Sequence, residues 1–291
     1  MKPQDQPGGS ETDTDIPSLK NPPSVKKFQK TVLDYYQHHG RDLGWRKTSD
    51  PYAILVSEIM LQQTQVERVA TKFPAFMAAF PDFETLAAAS PADILPVWQG
   101  MGYNRRAIAL QKCARIVTEE YSGRLPPDPD ILETFPGIGR ATASSICAFA
   151  FGMPVVFIET NIRRVFIHYF FRDATRIDDR DILPLVEKTL FRKDPRTWYN
   201  ALMDLGTDLR SVTENPNRRS RKYTVQTAFG GSDRKIRGEI LRMLLARERV
   251  THDDIACRYP GEPERIGRIL GALEREGFIT RSVEGYSILS R

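Results

Sequence analysis

The 291-residue chain is long enough for one large domain or two ordinary ones, each able to bury a core. Its 41% hydrophobic and 27% charged residues fit a soluble globular protein, and no apolar run approaches the roughly 20 residues that span a membrane. Three cysteines, Cys113, Cys147 and Cys257, stand far apart without paired spacing, which excludes a disulfide scaffold and argues against a cysteine-built metal site.

Residues 1–24 carry "QPGGSETDTD" and "NPPS", polar and turn-rich, and are expected to form a disordered tail. They lack the apolar core of a secretory signal, which points to a cytoplasmic protein, nucleoid-associated in a prokaryote. Residues 25–210 then read as an all-α domain. Amphipathic stretches at 25–39, 53–72, 74–80, 91–97, 104–121, 128–134, 140–151, 160–171, 181–190 and 197–210 are separated by short Pro, Gly or Asp turns, and almost nothing alternates with period two. Residues 211–232 form a basic linker with little helical pattern.

The net charge of +5 is mild, but residues 210–247 hold ten Lys or Arg against three acids. Such a stripe fits a polyanion, nucleic acid first, or a solvated connector between domains. Residues 233–291 read as helices over 233–248, 251–259 and 262–277, followed by two strands about Glu284 and Gly285. Three helices and a β-hairpin describe a small α+β winged helix, whose third helix, bearing Arg265, Arg268 and Arg275, would enter a DNA major groove. A module that docks another protein has the same outline.

Three stretches can do chemistry. In "LETFPGIGRATASSICAFA" (132–150), Gly137 and Gly139 permit positive φ and bare backbone at the start of a helix. That arrangement is a helix-hairpin-helix, which grips a phosphate without reading sequence; a plain tight turn is the alternative. In "YAILVSEIMLQQTQV" (52–66), Glu58 shares a stripe with Gln62, Gln65 and Val69 beside an apolar seam, where desolvation favours a protonated acid. In "VFIETN" (156–161), Glu159 follows a buried run and precedes "IRRV". It reads either as a helix-opening cap or as a carboxylate aimed at a substrate.

In this order and spacing, "SEIMLQQTQV", "WQGMGYNRRA", "FPGIGRATA", "FIETNIRRV" and "ALMDLG" resemble the helix-hairpin-helix (HhH-GPD) DNA glycosylases over about residues 28–210. Adenine glycosylases are the nearer likeness; mismatch thymine glycosylases and endonuclease III are more distant. The resemblance implies two all-α lobes with a DNA cleft between them, into which a nucleotide is flipped for hydrolysis of its N-glycosidic bond. It implies a monomer acting on double-stranded DNA with a mispaired or damaged base, with no membrane partner. Glu58 matches the acid that protonates the base, and Glu159 the carboxylate beside the sugar, where the family normally carries Asp. Arg41, Trp45 and Arg46 correspond to base-pocket residues, and Asp204 to an acid near them. Gln63 and Tyr103 match residues that wedge into the base stack, with Gln62 and Thr64 beside them as DNA contacts. Asn161 orders the loop or touches the adjoining phosphate. A monovalent cation at the Gly137 turn completes the set.

Departures from the family pattern carry their own expectations. Ala141 stands where endonuclease III has its Schiff-base lysine, so strand cleavage is not expected. The four cysteines that hold an iron–sulfur cluster in many relatives are missing after "MDLG". No cluster or other cofactor is therefore expected, and Arg218, Arg219 and Arg221 of the basic loop are expected to contact phosphates instead. No match to a Nudix-like C-terminal domain is present, which leaves adenine opposite 8-oxoguanine or guanine, and thymine or uracil opposite guanine, as rival substrates, with a non-catalytic DNA-binding relative as the alternative to an enzyme.

Overall fold

The computed structural model describes residues 22–224 and 231–290; the expected tail, apart from residues 22–24, and part of the expected linker lie outside the described residues. In chain order the helices begin with α1 Val25–His39, α2 Pro51–Leu61, α3 Val66–Ala79, α4 Phe83–Ala88, α5 Pro91–Trp98, α6 Arg105–Glu120 and α7 Pro129–Glu133. They continue with α8 Arg140–Phe151, α9 Thr160–Phe170, α10 Asp179–Thr189, α11 Pro195–Val212, α12 Asp233–Ala246, α13 His252–Arg258 and α14 Pro263–Arg275. Short 3-10 turns occupy Gly44–Lys47 and Pro216–Arg219, and strands β1 Ile279–Ser282 and β2 Gly285–Ile288 close the chain.

Local chemistry explains most of these starts. Asp50-Pro51, Ser90-Pro91, Asp128-Pro129 and Asp194-Pro195 each put a capping side chain before a proline in the first turn. The cap satisfies an orphan N–H, and the proline lacks one where none is needed. Two boundaries differ from the periodic pattern. The stretch expected as one helix over 53–72 breaks at residues 62–65, where Gln63 adopts φ 53, and Pro74 lies inside α3 instead of separating two helices. Val69 and Gln65 therefore do not share a helix with Glu58. The six-residue α4, capped by Asp82, is too short for periodicity to reveal.

The helices fall into two compact units. The first joins the described part of residues 1–41 to residues 154–224, and so contains α1 and α9 to α11. Its core centres on Phe28, which is fully buried and meets Phe166, Tyr169, Phe170 and Trp198 edge-on at 5.0–5.8 Å. α11 lies against α9 at Gly206, where a Cβ would come within 2.5 Å of the Asn161 carbonyl oxygen. The expected linker begins as structure: α11 runs to Val212, and Ile177 and Ser220 form a parallel bridge.

The second unit joins residues 42–153 to the described part of residues 225–291. It contains α2 to α8 and, on the same body, the C-terminal three helices and hairpin. β1 and β2 pair antiparallel, and Val250 makes a single antiparallel bridge to Tyr286. Leu95 of α5 and Ile108 of α6 belong to the same apolar cluster as Ile236, Ile240, Leu270 and Phe278. The winged helix is thus seated on α5 and α6 through shared apolar burial, the dominant favourable term in such packing. Glu276 adds ionic ties to Arg105 and Arg237, each at 2.5 Å. Among the described residues no helix is long and apolar enough to cross a membrane.

Candidate active site

In the second unit, Glu58 is half-buried on α2 and flanked by buried Ser57 and Ile59. Its Oε2 is hydrogen-bonded to Ser145 Oγ on α8, and Ser145 also reaches the Thr142 carbonyl at 3.0 Å. This pairing accommodates both protonation states. The hydroxyl donates to an ionised Glu58; alternatively it donates to Thr142 O while accepting from the protonated acid. Ser145 was not singled out from sequence, because a serine in "ATASSICAFA" looks like ordinary helix packing. Ser145→Ala is expected to slow single-turnover base excision about two- to tenfold, the scale of one net hydrogen bond. An unchanged rate would assign Ser145 to packing alone.

Gly137 takes φ 77, and an added Cβ there would lie 2.9 Å from that of Ala109. Gly139, in contrast, is extended at φ −99 and caps α8 without a side chain, so only Gly137 needs the left-handed region. Gln62 Nε2 donates to Gly137 O at 3.0 Å and to Thr142 Oγ1 at 3.3 Å, which ties the end of α2 to the hairpin.

Gln63 and Tyr103 both hold positive φ, at 53 and 46. Non-glycine residues persist there only when their surroundings hold them. The holder is Arg106, buried on α6. Its guanidinium donates to Ile59 O and Met60 O at the end of α2, to Thr64 Oγ1, and to Met101 O and Gly102 O. Desolvation lowers its pKa to about 10, which still leaves it charged at neutral pH. Sequence reasoning passed over Arg106, since Arg105 and Arg106 look alike in "NRRA" until one is buried. Trp45, expected in a base pocket, is 5% exposed and packs edge-on against Phe73 at 5.7 Å, a core position; Arg46 is half-buried beside it.

In the first unit, Glu159 is the N-cap of α9, its Oε1 accepting from Ile162 N at 2.7 Å. The cap alternative is therefore realised. The same carboxyl is desolvated, and burial pushes its pKa up despite the Ile162 N–H, Asn161 and the charges of Arg164 and Arg163. Asn161 Nδ2 donates to Glu159 Oε2 at 3.3 Å while its Oδ1 accepts from Arg164 at 2.7 Å. Arg164 is buried and also donates to Gly206 O and to Asn215 Oδ1. Asp204 is buried and accepts from Arg41 N at 2.9 Å and Arg41 Nε at 2.7 Å.

The basic loop is partly turned inward. Asn217 Nδ2 donates to Thr160 O at 2.9 Å, and Arg219 donates to Phe171 O and Arg172 O beyond the end of α9. Arg219 therefore closes a helix end, a correction to the expectation that it faces phosphate. Arg218, paired with Glu214, and Arg221 are exposed. The three cysteines lie in α6, α8 and α13, and residues 211–224 carry none, so the residues present do not fit an iron–sulfur cluster.

A model of the HhH-GPD superfamily of base excision DNA repair proteins matches residues 56–188, which include Glu58, Tyr103, the hairpin and Glu159. The chain is similar to the adenine DNA glycosylase of Mycobacterium tuberculosis (strain CDC 1551 / Oshkosh), 31% identical over 299 residues that cover 92% of this chain and 95% of the relative. It is also similar to that of Mycolicibacterium smegmatis, 32% identical over 273 residues, covering 87% and 93%. Coverage of 92% exceeds what residues 1–232 could supply, so the likeness extends into the C-terminal helices. Among solved structures, a thermostable thymine-DNA glycosylase matches with a TM-score of 0.58 and 26% identity, over 66% of this chain and 90% of that chain. The chain belongs to the HhH-GPD superfamily of base excision DNA repair proteins, in its adenine DNA glycosylase family.

Proposed function

We propose that the protein is a monofunctional adenine DNA glycosylase, acting on double-stranded DNA where adenine faces guanine or 8-oxoguanine. The observation that carries the reading is Glu58, held against Ser145 of the hairpin helix in a chain 31% identical to an adenine DNA glycosylase along nearly its whole length. Glu58 protonates the purine, so the electron pair of the breaking bond from C1′ leaves with a neutral base. Glu159, ionised, stabilises the positive charge that develops on the sugar. A water oxygen then bonds to C1′ and loses its proton, leaving an abasic site. Gln63 and Tyr103 fill the stack behind the extruded base, the hairpin holds a phosphate, and a monovalent cation at its turn belongs to the same reading. Ala141, in the first turn of α8, offers no amine for a Schiff base, so the backbone stays intact.

Thymine or uracil removal opposite guanine is the second reading, favoured by the match to the thymine-DNA glycosylase. A duplex panel with adenine opposite 8-oxoguanine, guanine or cytosine, and with G·T and G·U, decides between them. Base release is read as alkali-labile sites at enzyme excess. Release only from the adenine duplexes is the expected result; release only from G·T and G·U would replace it with the second reading. Nicking without alkali would overturn the inference from Ala141.

A further inference from the structure

The second unit contains a cleft of about 1290 Å³, of which the reading above uses only Gln63 and Tyr103. One wall is formed by the two turns that carry Gln63 and Tyr103; the other is built by α12 and α14 of the winged helix. Eight of its lining residues are Arg or Lys and two are acidic. Part of that charge is spent internally, since Arg105 and Arg237 are tied to Glu276 and Arg106 is buried. Arg68, Arg242 and Arg268 are exposed and have no ionic partner among the described residues. They project unpaired positive charge from α3, α12 and α14 onto one surface.

Two further contacts join this surface to the wedge. Arg234 of α12 lies 5.4 Å from the Tyr103 ring centroid and donates to its hydroxyl. Arg106 faces the same ring at 5.6 Å. Arg265, expected to read a groove from α14, instead binds Asp233 at 2.7 Å and Glu262 at 2.5 Å. α14 thus turns its Arg268 into the cleft while Arg265 is occupied at the helix start.

We infer that the winged helix is a DNA-backbone clamp for the wedge, with Arg242 and Arg268 taking phosphates of the duplex at the Tyr103 turn. This rests on the reading of Gln63 and Tyr103 as stack-filling residues. The ligand is a polyanionic backbone, because the exposed charges are monopositive, several, and spread over one concave surface, while the amides of Gln62, Gln63, Gln99 and Asn104 lie on the wall opposite α12 and α14. The surface makes the C-terminal helices part of the DNA site and not a separate tether.

Full-length wild type and R242E/R268E are to be compared by equilibrium binding to a fully paired duplex and to one with an uncleavable adenosine analogue opposite guanine, across a salt series. The control is R247E/R258E, the same charge change on winged-helix residues that do not line the cleft. The expected result is at least about tenfold weaker binding for R242E/R268E, with the slope of log affinity against log salt reduced by about two, and little change in the control. Unchanged affinity and slope would overturn the clamp, as would an equal loss in the control. If R242E/R268E melts below wild type, R242Q/R268Q gives the same comparison with half the charge change. Because the readout is binding, a wild type that excises no adenine refutes the proposed function while leaving the clamp to stand or fall by itself.

Discussion

Glu58→Gln is expected to reduce single-turnover excision about 10²–10⁴-fold while leaving affinity for uncleavable duplex within a few-fold of wild type. The substitution replaces the ionisable hydroxyl of the carboxyl with an amide and changes almost no volume. Ser145 Oγ can still donate to the amide oxygen, so the α2–α8 contact survives. What is lost is the only species on that side chain able to protonate a departing purine. Excision at wild-type rates in this variant would remove Glu58 from the chemistry and take the proposed mechanism with it.

Glu159 gives the second large effect, and its capping role dictates the variants. Glu159→Gln is expected to slow excision about 10²–10³-fold, the loss typical of one preorganised electrostatic group. Glu159→Asn is the sharper test, because Asn caps helices well yet carries no charge. A stable Glu159→Asn protein without activity separates charge from capping; full activity in it would make Glu159 a cap and nothing more. The pH dependence has a definite sign. A carboxyl whose folded-state pKa is raised above 4.5 is protonated more readily in the folded than in the unfolded chain. Its charge therefore costs stability above the raised value, and the cost fades as pH falls toward 4.5. Glu159→Gln should melt at or above the wild-type temperature at neutral pH, with the gap closing in acid. Excision by wild type should fall in the opposite sense, losing rate as pH drops through the raised value.

What could be read in the residues was local. Pro, Gly and Asp turns separated the helical stretches, and Glu284 and Gly285 marked a hairpin, because turns are set within four residues; the Asp-Pro starts at Pro51 and Pro195 lie two residues before the periodic pattern begins. The break at residues 62–65 was hidden, because the turn around the left-handed Gln63 is bracketed by contacts of Met60 and Thr64 with Arg106, more than forty positions away. Glu58 and Glu159 were visible as carboxylates at the edges of apolar runs. Ser145, Asn215 and Asn217 were not, since their value lies in partners that only folding supplies. The carboxyl of Glu159 meets Ile162 N and the Asn161 amide together, a pairing that no reading of residues 156–161 alone reveals.

Arg106 has one last consequence. A single guanidinium fastens the end of α2 and the turn before α6, so the protrusions bearing Gln63 and Tyr103 cannot relax independently. Their awkward backbone shape is settled when the chain folds, before any duplex arrives. Under the proposed function, the ordering entropy that a floppy loop would lose on meeting DNA is already lost, and encounter energy is left for prising the stack apart. The tool is forged stiff, and the duplex does the bending.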